Sequence, residues 1–95
     1  MITLFGQHAV TDYETWLSAA KANLSNSERS AQNGIVGTSK VYRTADGSEV
    51  VVVHRFNDLD AAQKYANMMQ SAESHAMLEQ MGAKLPLTIW ITEEV

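Results

Sequence analysis

Ninety-five residues, 45% hydrophobic and 19% charged, describe a single small globular domain over residues 1–95. The net charge is −4, and seven Lys and Arg are scattered without a basic stripe, which argues against a nucleic-acid or anionic-membrane surface. No cysteine is present, so disulfides and thiolate metal sites are excluded.

Met1 leads directly into Ile2-Thr3-Leu4-Phe5, with no basic n-region and no long apolar run. Neither a signal peptide nor a membrane span is therefore expected, and the expected location is cytoplasmic. Ile2 to Ala9 reads as a strand. Thr11-Asp12-Tyr13-Glu14 fits a capping box with Thr11 as the cap. Tyr13, Trp16, Leu17, Ala20 and Leu24 then give the apolar stripe of a first helix. Ser25-Asn26-Ser27-Glu28 is a second capping box, which predicts a break followed by a short helix to about Gln32, stopped by Asn33-Gly34.

Ile35 to Thr44 is a second strand, turned by Asp46-Gly47 onto Glu49-Val50-Val51-Val52-Val53-His54-Arg55-Phe56. Apolar residues at both parities of the valine run place that strand at the centre of a sheet. Asn57 or Asp58 caps a further helix with the stripe Leu59, Ala62, Ala66 and Met69. Ser71 re-caps a shorter one that ends at Gly82. Leu85 to Thr92 is a last strand, and Pro86 near its start suits an edge. The order strand, helix, strand, strand, helix, strand predicts an α+β, ferredoxin-like βαββαβ fold with the first and third strands central.

One strand parity collects Ile2, Leu4, Gly6, Val41, Val50, Val52, Leu87, Ile89 and Ile91, the face that two helical layers cover. The other collects Phe5, Gln7, Lys40, Tyr42, Val51, Val53, Arg55 and Trp90, with no helix left for it. Such an apolar face marks an interface or ligand site. The expectation is a homodimer packed through its sheets, with a mixed cavity between sheet and helices.

His8-Ala9-Val10-Thr11-Asp12-Tyr13-Glu14-Thr15-Trp16, Gly34-Ile35, Glu49-Val50-Val51-Val52-Val53, Asp58-Leu59-Asp60-Ala61-Ala62 and Met77-Leu78-Glu79-Gln80-Met81-Gly82-Ala83 followed by Pro86 form a further pattern. In these stretches the chain resembles the dimeric α+β barrel superfamily. That superfamily includes antibiotic biosynthesis monooxygenases, polyketide cyclases, haem-degrading monooxygenases, stress-responsive barrels and small cyclase-like bacterial proteins. It implies the fold and dimerisation, while its members' chemistries differ.

What the resemblance implies for function is a cofactor-independent monooxygenase or cyclase acting on a small aromatic or polyketide-like substrate. The alternative is a non-catalytic ligand-binding or stress-response module, with a haem-binding or haem-degrading protein as a further alternative. In the catalytic reading, Phe5 and Trp90 stack on a flat ligand, Gln7 and Tyr42 line its cavity, and Arg55 holds an enolate or carboxylate. In the other reading Phe5 and Trp90 are dimer core, and Arg55 and Lys40 pair with carboxylates at its rim. His8 and His54 share a parity and are expected to end two parallel central strands, close together, where either is a candidate general base. No spacing among the three histidines supports a metal, and no cofactor is expected. His75 resembles the axial histidine of the haem-degrading members in placement. Gln7 stands where those members carry asparagine, and their second-helix tryptophan is missing. Met68, Met69, Met77 and Met81 read as gap-filling core.

Overall fold

The computed structural model describes residues 1–95, with side chains at every position except 29. The elements are β1 (Ile2–Val10), α1 (Tyr13–Leu24), α2 (Ser27–Gln32), β2 (Ile35–Arg43), β3 (Glu49–Phe56), α3 (Leu59–Met69), α4 (Ala72–Gln80) and β4 (Ala83–Glu93). The strands form one antiparallel sheet in the order β2-β3-β1-β4, the ferredoxin-like α+β arrangement expected from the pattern. None of the helices is long and apolar enough to cross a membrane, among the described residues.

The valine strand is central, as expected, but its direction relative to β1 is not. β1 and β3 run antiparallel, with Leu4 opposite His54 and His8 opposite Val50. The chain crosses over from β1 to β2 by way of α1 and α2, and the tight hairpin then reverses it into β3. A strand reversed next to a parallel crossover must oppose the first. The hairpin is held by Asp46, whose carboxylate accepts from the hydroxyls of Thr44 and Ser48 at 2.7 Å each and from the Ser48 amide at 3.0 Å. The Ser48 amide bond, followed by the two hydroxyl bonds, lowers the Asp46 pKa to about 2.

Thr11 is not the cap of α1. Asp12 is, accepting from the amides of Glu14 at 3.1 Å and Thr15 at 3.3 Å. Thr11 is drawn instead to the end of α4, where its amide and hydroxyl both donate to the Gly82 carbonyl, at 2.8 and 3.1 Å. Gly82 has φ +96, and a Cβ there would stand 3.3 Å from the Thr11 hydroxyl, so both backbone angle and space require glycine. β4 starts at Ala83, two residues before the expected Leu85, because it resumes directly from this junction. Pro86 follows a cis peptide bond and lies on an edge strand, where the pairing with β1 shifts register between Gln7 and Ala9.

The core falls into two clusters on the helix-covered face. Ile2, Leu4, Ile35 and Phe56 meet Ala62 and Ala66 of α3 at one end. Trp16 and Ala20 of α1 meet Val50, Leu78, Ala83 and Leu87 at the other. Half-buried Ile89 packs against both. The corrected cap gives a direct test. Asp12→Ala should lower stability by about 1 kcal/mol in urea unfolding, from the loss of two amide acceptors at the start of α1.

Candidate functional site

Between the two core clusters the helices stand away from the sheet and leave a cavity of about 480 Å³. Gly6 is part of its floor, between Leu4 and His8 on β1, with Val52 and His54 beside it on β3. A Cβ on Gly6 would make only an ordinary 3.7 Å contact with Leu87, so the missing side chain leaves room rather than relieving a clash. Met68, Met69, Met77 and Met81 all line this space; Met69 and Met81 also pack against the Trp16 core cluster as expected, while Met68 is 43% exposed. Their unbranched thioether side chains make an apolar, adaptable wall.

His8 and His54 both line the cavity, but at opposite ends. Four residues of β1 separate the position paired with His54 from His8, about 13 Å along the strand. They are not the close neighbours that parallel strands would have made them. His54 is buried and engaged on both nitrogens, with the Ser39 hydroxyl 2.6 Å from Nδ1 and the Tyr65 hydroxyl 3.2 Å from Nε2. Desolvation lowers its pKa to about 4, so it is neutral at pH 7.

His8 is also buried, and its Nδ1 lies 2.8 Å from the Ala9 carbonyl. A carbonyl can only accept, so Nδ1 carries the proton and Nε2 keeps its lone pair. Burial lowers the His8 pKa, against smaller opposing effects of the Ala9 carbonyl and the Glu49 charge. Trp16 sets its ring edge-on to His8, with centroids 5.3 Å apart, and its Nε1–H is buried without a partner among the described residues. The arrangement is a largely apolar pocket, with Asn23, Asn33, Ser71 and Glu73 also in its wall and a neutral imidazole at each end.

No family model and no curated protein matches the chain. Solved structures do. A monooxygenase from Streptomyces coelicolor in complex with nanaomycin D has a TM-score of 0.68 at 14% identity, over 99% of this chain and 87% of that one. A crystal structure of an antibiotic biosynthesis monooxygenase gives 0.65 at 10% identity, over 100% and 99% of the two chains. A dimeric ferredoxin-like protein from an uncultured marine organism gives 0.67 at 10% identity, over 100% and 95%. The chain has the fold of the antibiotic biosynthesis monooxygenases.

In this monooxygenase-like fold the remaining residues singled out from the sequence lie elsewhere. Phe5, Gln7, Tyr42, Arg55 and Trp90 sit on the helix-free sheet face and none lines the cavity. Phe5 and Trp90 stack there with centroids 5.2 Å apart and planes 6° apart, while Tyr42 is 53% exposed. Phe5, Tyr42 and Arg55 line a second groove, of about 900 Å³, on that face with Lys40 and Val53. His75 lies outside the cavity wall, its Nε2 2.8 Å from Gln70 Oε1, while Gln70 donates to the Leu87 carbonyl at 2.8 Å. It is therefore not placed as an axial ligand to a haem in the cavity, and the three histidines do not converge. Tyr65, Ser39 and Gly6 were not singled out as site residues in the sequence, and Trp16 reads there as plain core. Only the partner-seeking indole N–H of a buried tryptophan could have drawn attention to it.

The buried imidazole makes stability depend on pH. The unfolded His54 takes a proton near its ordinary 6.5 and the folded one near 4, so the unfolded chain binds more protons between these values. Stability should be flat above pH 6.5 and fall by about 3 kcal/mol as pH drops toward 4. Thermal unfolding across this range checks it, and His54→Gln should flatten most of the slope.

Proposed function

We propose that the protein is a homodimeric, cofactor-independent monooxygenase for a flat aromatic or polyketide-like substrate bound between sheet and helices. The observation that carries this reading is the cavity itself: apolar walls, about 480 Å³, and an unprotonated His8 at one end. His8 is the general base, and the methionine wall sorts for flat apolar bodies. The solved monooxygenase with nanaomycin D supports the same use of the fold.

The chemistry needs only a substrate whose ring system makes a CH₂ group acidic, together with dioxygen. His8 takes the first proton, and the resulting carbanion reduces dioxygen and joins it as a peroxide. The imidazolium returns its proton to that peroxide. His8 then takes the second C–H proton as the O–O bond breaks and hydroxide leaves, and protonates the hydroxide. The balance is CH₂ + O₂ → C=O + H₂O. The substrate supplies all the electrons, and the largely apolar wall of the cavity lowers the water content around the carbanion.

Anthrone, a flat three-ring ketone with such a group, is a suitable test compound. Oxygen uptake with anthrone should fall at least 100-fold in His8→Gln while calorimetric affinity changes little, since the base acts in the transition state. Gly6→Leu should abolish binding by filling the floor, and Arg55→Met should leave both measurements unchanged. Uptake that survives His8→Gln while Arg55→Met loses it would move the chemistry to the open sheet face.

The open face is assigned to a second copy of the chain. Val51 and Val53 are half-buried there beside the Phe5–Trp90 stack, with no helix to cover them. The dimeric ferredoxin-like neighbour supports this. Sedimentation of the natural protein should show a dimer at micromolar concentration. Val53→Glu, which sets an unpaired charge in that interface, should sediment as a monomer.

A further inference from the structure

Two buried residues at one end of the cavity, Trp16 and His8, carry polar groups with complementary hydrogen-bonding needs. Trp16 is 2% exposed, lines the cavity and carries an indole N–H without an acceptor. His8 lines the same cavity, faces Trp16 edge-on at 5.3 Å, and keeps a lone pair on Nε2 because Nδ1–H is committed to the Ala9 carbonyl. A buried donor left unpaired is costly, and an occupant that completes it is favoured over one that does not. One atom satisfies both groups: a hydroxyl oxygen attached to a flat ring, accepting from the indole and donating to the imidazole.

We propose that Trp16 and His8 form a recognition pair for a phenolic or enolic hydroxyl, with Trp16 Nε1–H donating to its oxygen and His8 Nε2 holding its proton. The proposal deepens the function proposed above, resting on that reading for the placement of the ligand in this cavity. It names the oxygen-bearing end of the substrate and makes Trp16 a specificity-determining residue. In the enol form of the substrate, loss of the O–H proton to His8 Nε2 gives the same carbanion as loss of the C–H proton: the O–H bond breaks, the N–H bond forms, and the charge shared with the oxygen is stabilised by the indole N–H. Met69 and Met81 pack on the Trp16 cluster and also line the cavity. Their rotamers are the ones that shift to let an oxygen reach the indole.

Because the chain has only two tryptophans, the indole N–H can be watched directly. In a ¹⁵N-labelled sample the two indole signals are assigned by Trp90→Phe, a change on the opposite face of the sheet. Titration with 2-naphthol should move the Trp16 signal downfield, and naphthalene should not. By calorimetry 2-naphthol should bind about ten-fold or more tightly than naphthalene, and Trp16→Phe should erase that preference. 2-Methoxynaphthalene, which accepts but cannot donate, should keep the indole shift and lose much of the affinity gain. Equal affinities for 2-naphthol and naphthalene would overturn the recognition pair while leaving the cavity as an apolar binding site. So would saturation by 2-naphthol with a stationary Trp16 signal. Failure of every probe to bind would overturn the cavity reading itself.

Discussion

The pairing of β1 with β3 sets the position of every group discussed above. Eight matched positions from Ile2–Phe56 to Ala9–Glu49 lock these two central strands together. Side chains alternate across a pleated sheet, so this one register decides which residues meet the helices and which are left outside. Leu4, Gly6, His8, Val50, Val52 and His54 fall on the helix side together. Phe5, Val53 and Arg55 fall on the other. A slip of β1 by one residue would turn Leu4 and His8 away from the helices and bring Phe5 and Gln7 beneath them. The placement of both imidazoles on the helix side therefore depends on the same ladder that organises the core.

The cavity exists because the helices approach the sheet closely at two places and not between them. Ala62 and Ala66 let α3 sit tight on Leu4 and Phe56. Ala20, Ala83 and Leu78 bring α1 and α4 down around Trp16 and Val50. Between these contacts the sheet presents Gly6, which has no side chain to reach the helices. The methionines of α3 and α4 close over the gap without filling it. Small residues make the close approaches, and a glycine with flexible thioethers makes the space.

Much of this was legible in the chain. The break between α1 and α2 was marked by Ser25 to Glu28, the hairpin by Asp46-Gly47, the edge by Pro86, and the two faces by strand parity. These features are local, so a few neighbouring residues specify them. The cap at Asp12 was missed because Thr11 is taken by Gly82, a partner 71 positions away. The antiparallel sense of β1 and β3 follows only once the hairpin and the crossover are considered together. The cavity was the least legible feature. Parity says which face a residue occupies, but not whether the layer above it packs flush, so the aromatic and cationic residues of the open face are legible in the sequence and the cavity lining of Gly6, Trp16 and Tyr65 is not.

Desolvation acts on both histidines and keeps both neutral, so burial alone does not distinguish their roles. Their hydrogen-bond partners do. His54 stands between two hydroxyls, each able to donate or accept, so either tautomer is satisfied and neither nitrogen is left over for a ligand. It fastens β2 and α3 to β3 and gives the cavity a firm end. His8 has an acceptor-only carbonyl on one nitrogen, which fixes a single tautomer and leaves a directed lone pair on the other. A base must hold its lone pair in a defined place before the substrate arrives, because reorganising it during reaction adds to the barrier. That geometric condition is met at the His8 end, beside the indole of Trp16.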